Sequence, residues 1–337
     1  MLRVRRQHHR THELNPQKGR GELSFFSPLI LLSDMSLTSF LALPEVKARF
    51  KQDWPIPSPP PSTKNWSIPA PPVSARPAII GTAFDYVFRF YLRRLNSIAQ
   101  EREHWIADNA LARMRGSMRE IGRSICDTAH IRHQDFLNGK PLDDDLLSSA
   151  ILLAQLDGVF RSGGMLPSSG EFTVLPEDLT DLRQLVAACD WKQWRVLQFC
   201  QLNPTFGWAS ALVGGADADF HLDTTLYELK TVRQVTGLTG HYHQLVAYSA
   251  LNFLNSGPPI TELGIYFSRF AEIVRWAAPD WKDTQYESFL LWFCTNAEKR
   301  FDGSGIMLSN LMERVPSDLN LRPQIEALVV EIQTKNN

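Results

Sequence analysis

GGADADFHLDTTLYELKT, residues 214–231, changes the rhythm of the chain from helical spacing to strict alternation. Over 216–222, Asp217, Asp219 and His221 fall on one face of an extended segment. Ala216, Ala218, Phe220 and Leu222 fall on the other. Asp223 and Thr224 supply a turn, and TLYELKTV, 225–232, returns as the second arm of a hairpin. Pairing Leu222 with Thr225 sets Asp219 opposite Glu228 and Asp217 opposite Lys230. Two or three carboxylates then meet one ammonium, while Phe220, Leu222, Tyr227 and Leu229 turn toward a core. Such a cluster needs charge compensation, and an all-oxygen ligand set suits Mg²⁺ or Mn²⁺.

Outward from the hairpin the pattern is mostly helical. Toward the carboxyl end it predicts a helix over 240–255, a strand over 261–269 and a second hairpin arm at 271–277. Helices follow at about 283–300 and 319–333. Toward the amino end, helical regions are expected at 176–200, opened by Pro176. Another spans 142–161, with acids in its first turn. Further ones cover 97–137 and 79–95, and a short amphipathic helix over 36–50 has Ser36 or Thr38 as cap. Residues 55–77 hold nine prolines and cannot form a regular ladder, so they read as a tether or a strap over the surface. The order of elements is that of an α/β layered domain with a large helical portion.

Composition narrows the classes. With 44% apolar and 21% charged residues the chain has material for a sizeable core. Its 35 Lys and Arg against 36 Asp and Glu exclude a whole-molecule basic field, so any nucleic-acid contact must use a local patch. Cys126, Cys189, Cys200 and Cys294 form no CxxC pair, which fits thiols in a reduced, cytoplasmic compartment. The apolar run Phe25–Leu32 is too short to span a bilayer, and no membrane association is expected. Residues 1–34, with Arg3, Arg5, Arg6 and Arg10, read either as a targeting peptide or as a poorly ordered extension before a start at Met35.

The acid–x₈–ExK string at 219–230 resembles the signature of the PD-(D/E)XK phosphodiesterase superfamily, whose core is a restriction-endonuclease-like α/β/α fold around a central mixed sheet. HQLVAYSAL, 243–251, resembles the QxxxY element of the RecB-like branch and contributes Gln244 and Tyr248, one turn apart. The resemblance implies a nuclease domain over 78–337 behind a helical segment at 35–54. That domain has a helical part at 78–205 and a catalytic core at 206–303. It implies that Asp219, Glu228 and the Leu229 peptide oxygen hold one or two ions, with Asp217 and His221 as further candidates. Lys230 would orient or help deprotonate the attacking water and offset charge on the phosphorane. Gln244 would bond a phosphate or Lys230, and Tyr248 would stack on a nucleotide or buttress the site. The products would be a 5′-phosphate and a 3′-hydroxyl.

DNA as substrate rests on the same resemblance, and the site residues themselves would serve for RNA. The branch often adds an upstream helix-borne acid, for which Glu120, Asp157 and Glu171 are candidates. Arg233, Arg93 and Arg94 are candidate phosphate contacts, and Phe84, Tyr86, Phe88, Phe90 and Tyr91 are packing residues. The signature proline has no counterpart, and only Cys294 follows the core, which disfavours an iron–sulfur cluster. No GxxxxGK[ST] is present, so unwinding would need a helicase or other protein partner. The alternative is a catalytically inactive nucleic-acid-binding or structural subunit of a larger assembly.

Overall fold

A computed structural model describes residues 36–57, 66–102, 104–165, 171–301, 308–309, 312 and 321–336. The expected extension at 1–34 and residues 58–65 of the proline-rich stretch lie outside the described residues.

The predicted hairpin is present in the predicted register over 220–227. The ladder does not continue to pair Asp219 with Glu228 or Asp217 with Lys230, and Asp217 bridges Thr205 instead. Strand β2, Phe220–Leu222, and strand β3, Thr225–Lys230, pair antiparallel with Leu222 opposite Thr225. The turn is held from outside. Asp223, with φ 49°, accepts the backbone N–H groups of Leu197, Gln198 and Phe199 at 3.1, 2.7 and 3.1 Å. Those three bonds hold the Asp223 carboxyl below the usual carboxylate range although burial opposes them. They also align β1, Cys200–Leu202, antiparallel to β2.

On its other edge β3 pairs parallel with β4, Glu262–Phe267, which in turn pairs antiparallel with β5, Glu272–Ala277. Among the described residues one mixed sheet results, in the order β1-β2-β3-β4-β5. Parallel neighbours need a crossover, and α9, Leu238–Leu254, supplies it, packing on β3 and β4. At Gly264 the parallel neighbour Tyr227 lies so close that an added Cβ would stand 2.6 Å from its ring.

Helices cover both faces. One core joins Leu226, Leu263, Ile265 and Phe267 of the sheet to α9 and to α1 (Leu37–Leu41), α2 (Pro44–Asp53), α8 (Gly207–Leu212) and α10 (Glu287–Phe301). The other joins Phe220, Leu222, Tyr227, Leu229 and Tyr266 to a helical layer. That layer is α3 (Pro77–Leu95), α4 (Ile106–Ala110), α5 (Gly116–Leu137), α6 (Asp144–Arg161) and α7 (Pro176–Ala188). The expected packing role of Phe84, Tyr86, Phe88 and Phe90 holds, since all four are fully buried in α3.

Several boundaries differ from expectation. Pro44 divides 36–50 into α1 and α2, because proline favours a first helical turn over an interior one. The region 97–137 divides into α4 and α5. The helix expected over 176–200 ends at Ala188; a 3-10 turn over Trp191–Trp194 and β1 follow.

Residues 66–76 form a strap rather than a free tether. Trp66 packs on Phe267 and Phe270, and the Ala70 N–H donates to the Arg269 carbonyl. Asp181 of α7 accepts from the backbone N–H groups of Val73 and Ser74 at 3.0 Å each and from Arg269 Nη1 at 2.7 Å. Asp181 and Arg269 are both buried, so this pair joins strap, α7 and the β4–β5 turn. Asp181→Ala is expected to lower unfolding free energy by about 3–5 kcal/mol, since it leaves a buried guanidinium unpaired. A denaturant titration checks this, and a loss no larger than that of an exposed substitution would contradict it.

Candidate active site

Strand β2 begins at Phe220, so the ladder on that edge of β3 stops after Tyr227. Asp219 fills the next position with its side chain: Leu229 N–H donates to Asp219 Oδ2 at 2.5 Å. In an extended strand the N–H and C=O of one residue face the same edge, so the Leu229 peptide oxygen faces Asp219 too. Glu228 is buried, and Lys230 Nζ donates to its Oε1 at 2.6 Å. The other oxygen, Glu228 Oε2, is buried with no hydrogen-bond partner.

Lys230 stands behind Glu228 and is not part of the lining of the cavity of about 400 Å³ on which Asp219 and Glu228 open and which Asp85, Asp217, Gln244 and Tyr248 also line. Its outer wall is the start of α1, where Ser36 and Ser39 cap each other and Leu37 N–H donates to the Gly215 carbonyl at 2.9 Å. Gly214 and Gly215, at φ 70° and 122°, let the chain make that bend before the acids.

The charges perturb one another. Burial, then Glu228, then Asp85 push the Asp219 carboxyl well above the carboxylate range, against Lys230 and the Leu229 N–H. Burial works against the Lys230 ammonium, but Glu228 and Asp219 hold its pKa above the ordinary lysine value.

Gln244 Nε2 donates to the Tyr248 hydroxyl at 2.8 Å, and Tyr248 stacks on Phe206 with ring centroids 5.4 Å apart. Tyr248 thus packs on Phe206 and holds the Gln244 amide at the cavity. Asp217 lines the cavity from its mouth, ion-paired to Arg102, whose Nε donates to the Asn203 carbonyl.

Other expected residues lie elsewhere. The His221 ring is buried against Phe199 and does not line the cavity, because the alternation that puts it on the acid face also carries it toward the turn. Arg94 is committed within the helical layer: it donates to the carbonyls of Lys140 and Gly139 and lies over the Phe136 ring. Arg93 sits at the same end of α3, two turns from Asp85. Arg233 is exposed just past β3. His241 and His243 lie in the first turns of α9; His243 is buried, with Nε2 2.9 Å from the Trp54 carbonyl oxygen.

The acid contributed by the helical layer is Asp85 of α3, which the sequence reading missed. Asp85 Oδ2 accepts from Arg89 at 2.6 Å, and its Oδ1 is buried without a partner. Of the residues considered for that position, Glu120 and Glu171 are exposed, and Asp157 is buried behind the cavity, ion-paired to Arg161. The signal was there: Asp85 is the one acid in GTAFDYVFRFYLRRLN, a stretch dominated by aromatic, aliphatic and basic residues.

Among the described residues no group of three or more His, Cys, Asp and Glu side chains is spaced to hold a metal ion. A divalent ion at the hairpin would have Asp219, Glu228 and the Leu229 peptide oxygen as its protein ligands. The set is oxygen-only, as hard cations require, and it includes an unpartnered buried carboxylate oxygen. Among the described residues no helix is long and apolar enough to cross a membrane, and all four cysteines are free and buried. No family model matches the chain, and no curated protein or solved structure matches it.

Burial lowers the His221 ring to about 4, and the His241 ring to about 4 with Lys230 contributing. A histidine lowered on folding is neutral in both states above 6.5, the ordinary value; below it, the unfolded chain gains the proton first. Stability therefore falls as pH drops from 6.5 toward 4. His221→Phe is expected to flatten that slope by up to about 1.4 kcal/mol per pH unit, measured by denaturant unfolding across the window. An unchanged slope would show that the ring titrates alike in both states.

Proposed function

We propose that the chain is a nuclease of the restriction-endonuclease-like, RecB-like type that hydrolyses DNA phosphodiester bonds with Mg²⁺ or Mn²⁺. The observation that carries this reading is the convergence of Asp219 and Glu228 beside Lys230 at the open edge of β3, facing a cavity. A surface ion pair on a solvated hairpin would need none of the enclosing elements.

The bound ion would lower the pKa of a water and polarise the phosphate. The chain's own residues do the rest. Lys230, held by Glu228, would supply the cation that offsets charge building on a phosphate bound at these acids. Gln244 is positioned by Tyr248 and reaches the cavity from α9, where its amide can meet a phosphate oxygen. Asp85 adds a carboxylate from the helical layer and extends the acidic lining beyond the hairpin.

A second reading is favoured by a specific observation. Asp219 Oδ2 and Glu228 Oε1 are each already engaged, by Leu229 N–H and Lys230, as in a self-satisfied structural cluster. In that case the protein is an inactive nucleic-acid-binding or structural subunit.

Labelled linear duplex, circular and single-stranded DNA, and RNA, incubated with Mg²⁺ or Mn²⁺, separate the two. The nuclease reading expects cleavage that EDTA abolishes and that Lys230→Ala or Glu228→Gln reduces by roughly 10²–10³-fold. Asp85→Asn is expected to reduce it less. Absence of cleavage on every substrate, with binding retained, supports the subunit.

A further inference from the structure

The cavity at the hairpin has a neighbour. Thr38 and Gln244 line both it and a second cavity of about 510 Å³ between α2 and the first turns of α9. The two differ in chemistry. Asp85, Asp217, Asp219 and Glu228 line the first, whereas no Asp or Glu lines the second. The floor of the second is apolar, with Leu41, Phe50 and the buried His243. Its rim carries Lys47 and Lys51, four residues apart on α2 and so on one helix face. Both are exposed, and neither makes an ion pair among the described residues.

We infer that this groove holds a single nucleic-acid strand beside the hairpin acids, its base against the apolar floor and its phosphates toward Lys47 and Lys51. Apolar surface with cations at its edge is the pattern by which single strands are held without reading their sequence. A chain of net charge −1 has no general basic field, so a strand must be held by local cations of this kind. The hairpin acids line the adjoining cavity, which meets the groove at Thr38 and Gln244. The base faces that would meet the apolar floor are stacked on one another inside a duplex and free in a single strand.

The inference rests on the nuclease reading for what happens at the hairpin, though not for binding in the groove. The test uses the full chain with fluorescent single-stranded oligothymidylate and a duplex of equal length. Anisotropy in EDTA reports binding without cutting, and Mg²⁺ or Mn²⁺ then reports cleavage. Lys47→Glu/Lys51→Glu is compared with Lys192→Glu/Lys282→Glu, which reverses two exposed charges elsewhere. Circular dichroism verifies that both variants keep their helices.

The groove predicts that the wild type binds single strand more tightly than duplex. The Lys47/Lys51 variant should lose about tenfold or more in affinity, and its salt slope should fall by roughly 1.4, as two lost single-strand phosphate contacts require. Affinity and slope equal to those of the control variant overturn the inference, as does duplex bound as tightly as single strand. A groove filled by residues 1–35 of the chain itself would give that same control-level result. Cleavage with unchanged affinity in the Lys47/Lys51 variant discards the groove and keeps the nuclease. Groove-dependent binding without cleavage keeps the groove and discards the nuclease.

Discussion

Strand β3 loses its partner on one edge after Tyr227, and a carboxylate takes the place of the missing strand. The bond from Leu229 N–H to Asp219 is thus both a ladder bond and a site contact. Its position depends on register, because a shift of one residue would turn every side chain of the hairpin to the opposite face. The chain guards against that shift from outside the hairpin. Asp223 gathers three backbone donors of the incoming segment 197–199, which sets turn and β1 together. The acids can be buried because everything around them has fixed that geometry.

Burial of charge recurs in the layers that flank the sheet. Arg269 and Asp181 join the β4–β5 turn to α7 and pin the strap; Asp85 and Arg89 pair within α3 at the rim of the cavity. A pair like Arg269–Asp181 adds little net stability over an apolar packing of the same volume, but it penalises any docking in which its partners fail to meet. The strap is a consequence. Residues 66–76 lack a regular ladder, yet the backbone donors of Val73 and Ser74 end on a buried carboxylate.

How much of this was readable in the sequence follows from how local each feature is. The paired residues of the hairpin lie within about one dozen positions of one another, and alternation reports them directly, although the bonds from 197–199 to Asp223 that hold the turn do not show in it. The same holds for α9, where Gln244 and Tyr248 bond at the spacing that the helix dictates. By contrast, β1 is three residues long and carries no period of its own. Asp85 is assigned to the cavity by the packing of α3, and only its isolation among aromatic residues hinted at it. Arg94 shows the reverse error: a basic residue beside an aromatic helix looked free, but the α5–α6 loop uses it as a clamp. The helix boundary at Pro44 follows from proline's preference for a first turn, and the one at Ala188 from the extended backbone of Cys189.

The bond from Leu37 to Gly215 has a consequence for the order in which the molecule matures. It closes a loop that takes in the whole helical layer, and closing so long a loop is entropically costly until other contacts offset it. The acidic hairpin can form early from neighbouring residues, but its wall and its third carboxylate arrive only when distant segments dock. On a chain emerging from the ribosome α1 and α3 come before the hairpin, and the enclosure closes only once the hairpin and α9 have followed and docked. The complete chamber is therefore a property of the finished fold, and a partly folded chain would present only an open pair of acids beside a lysine.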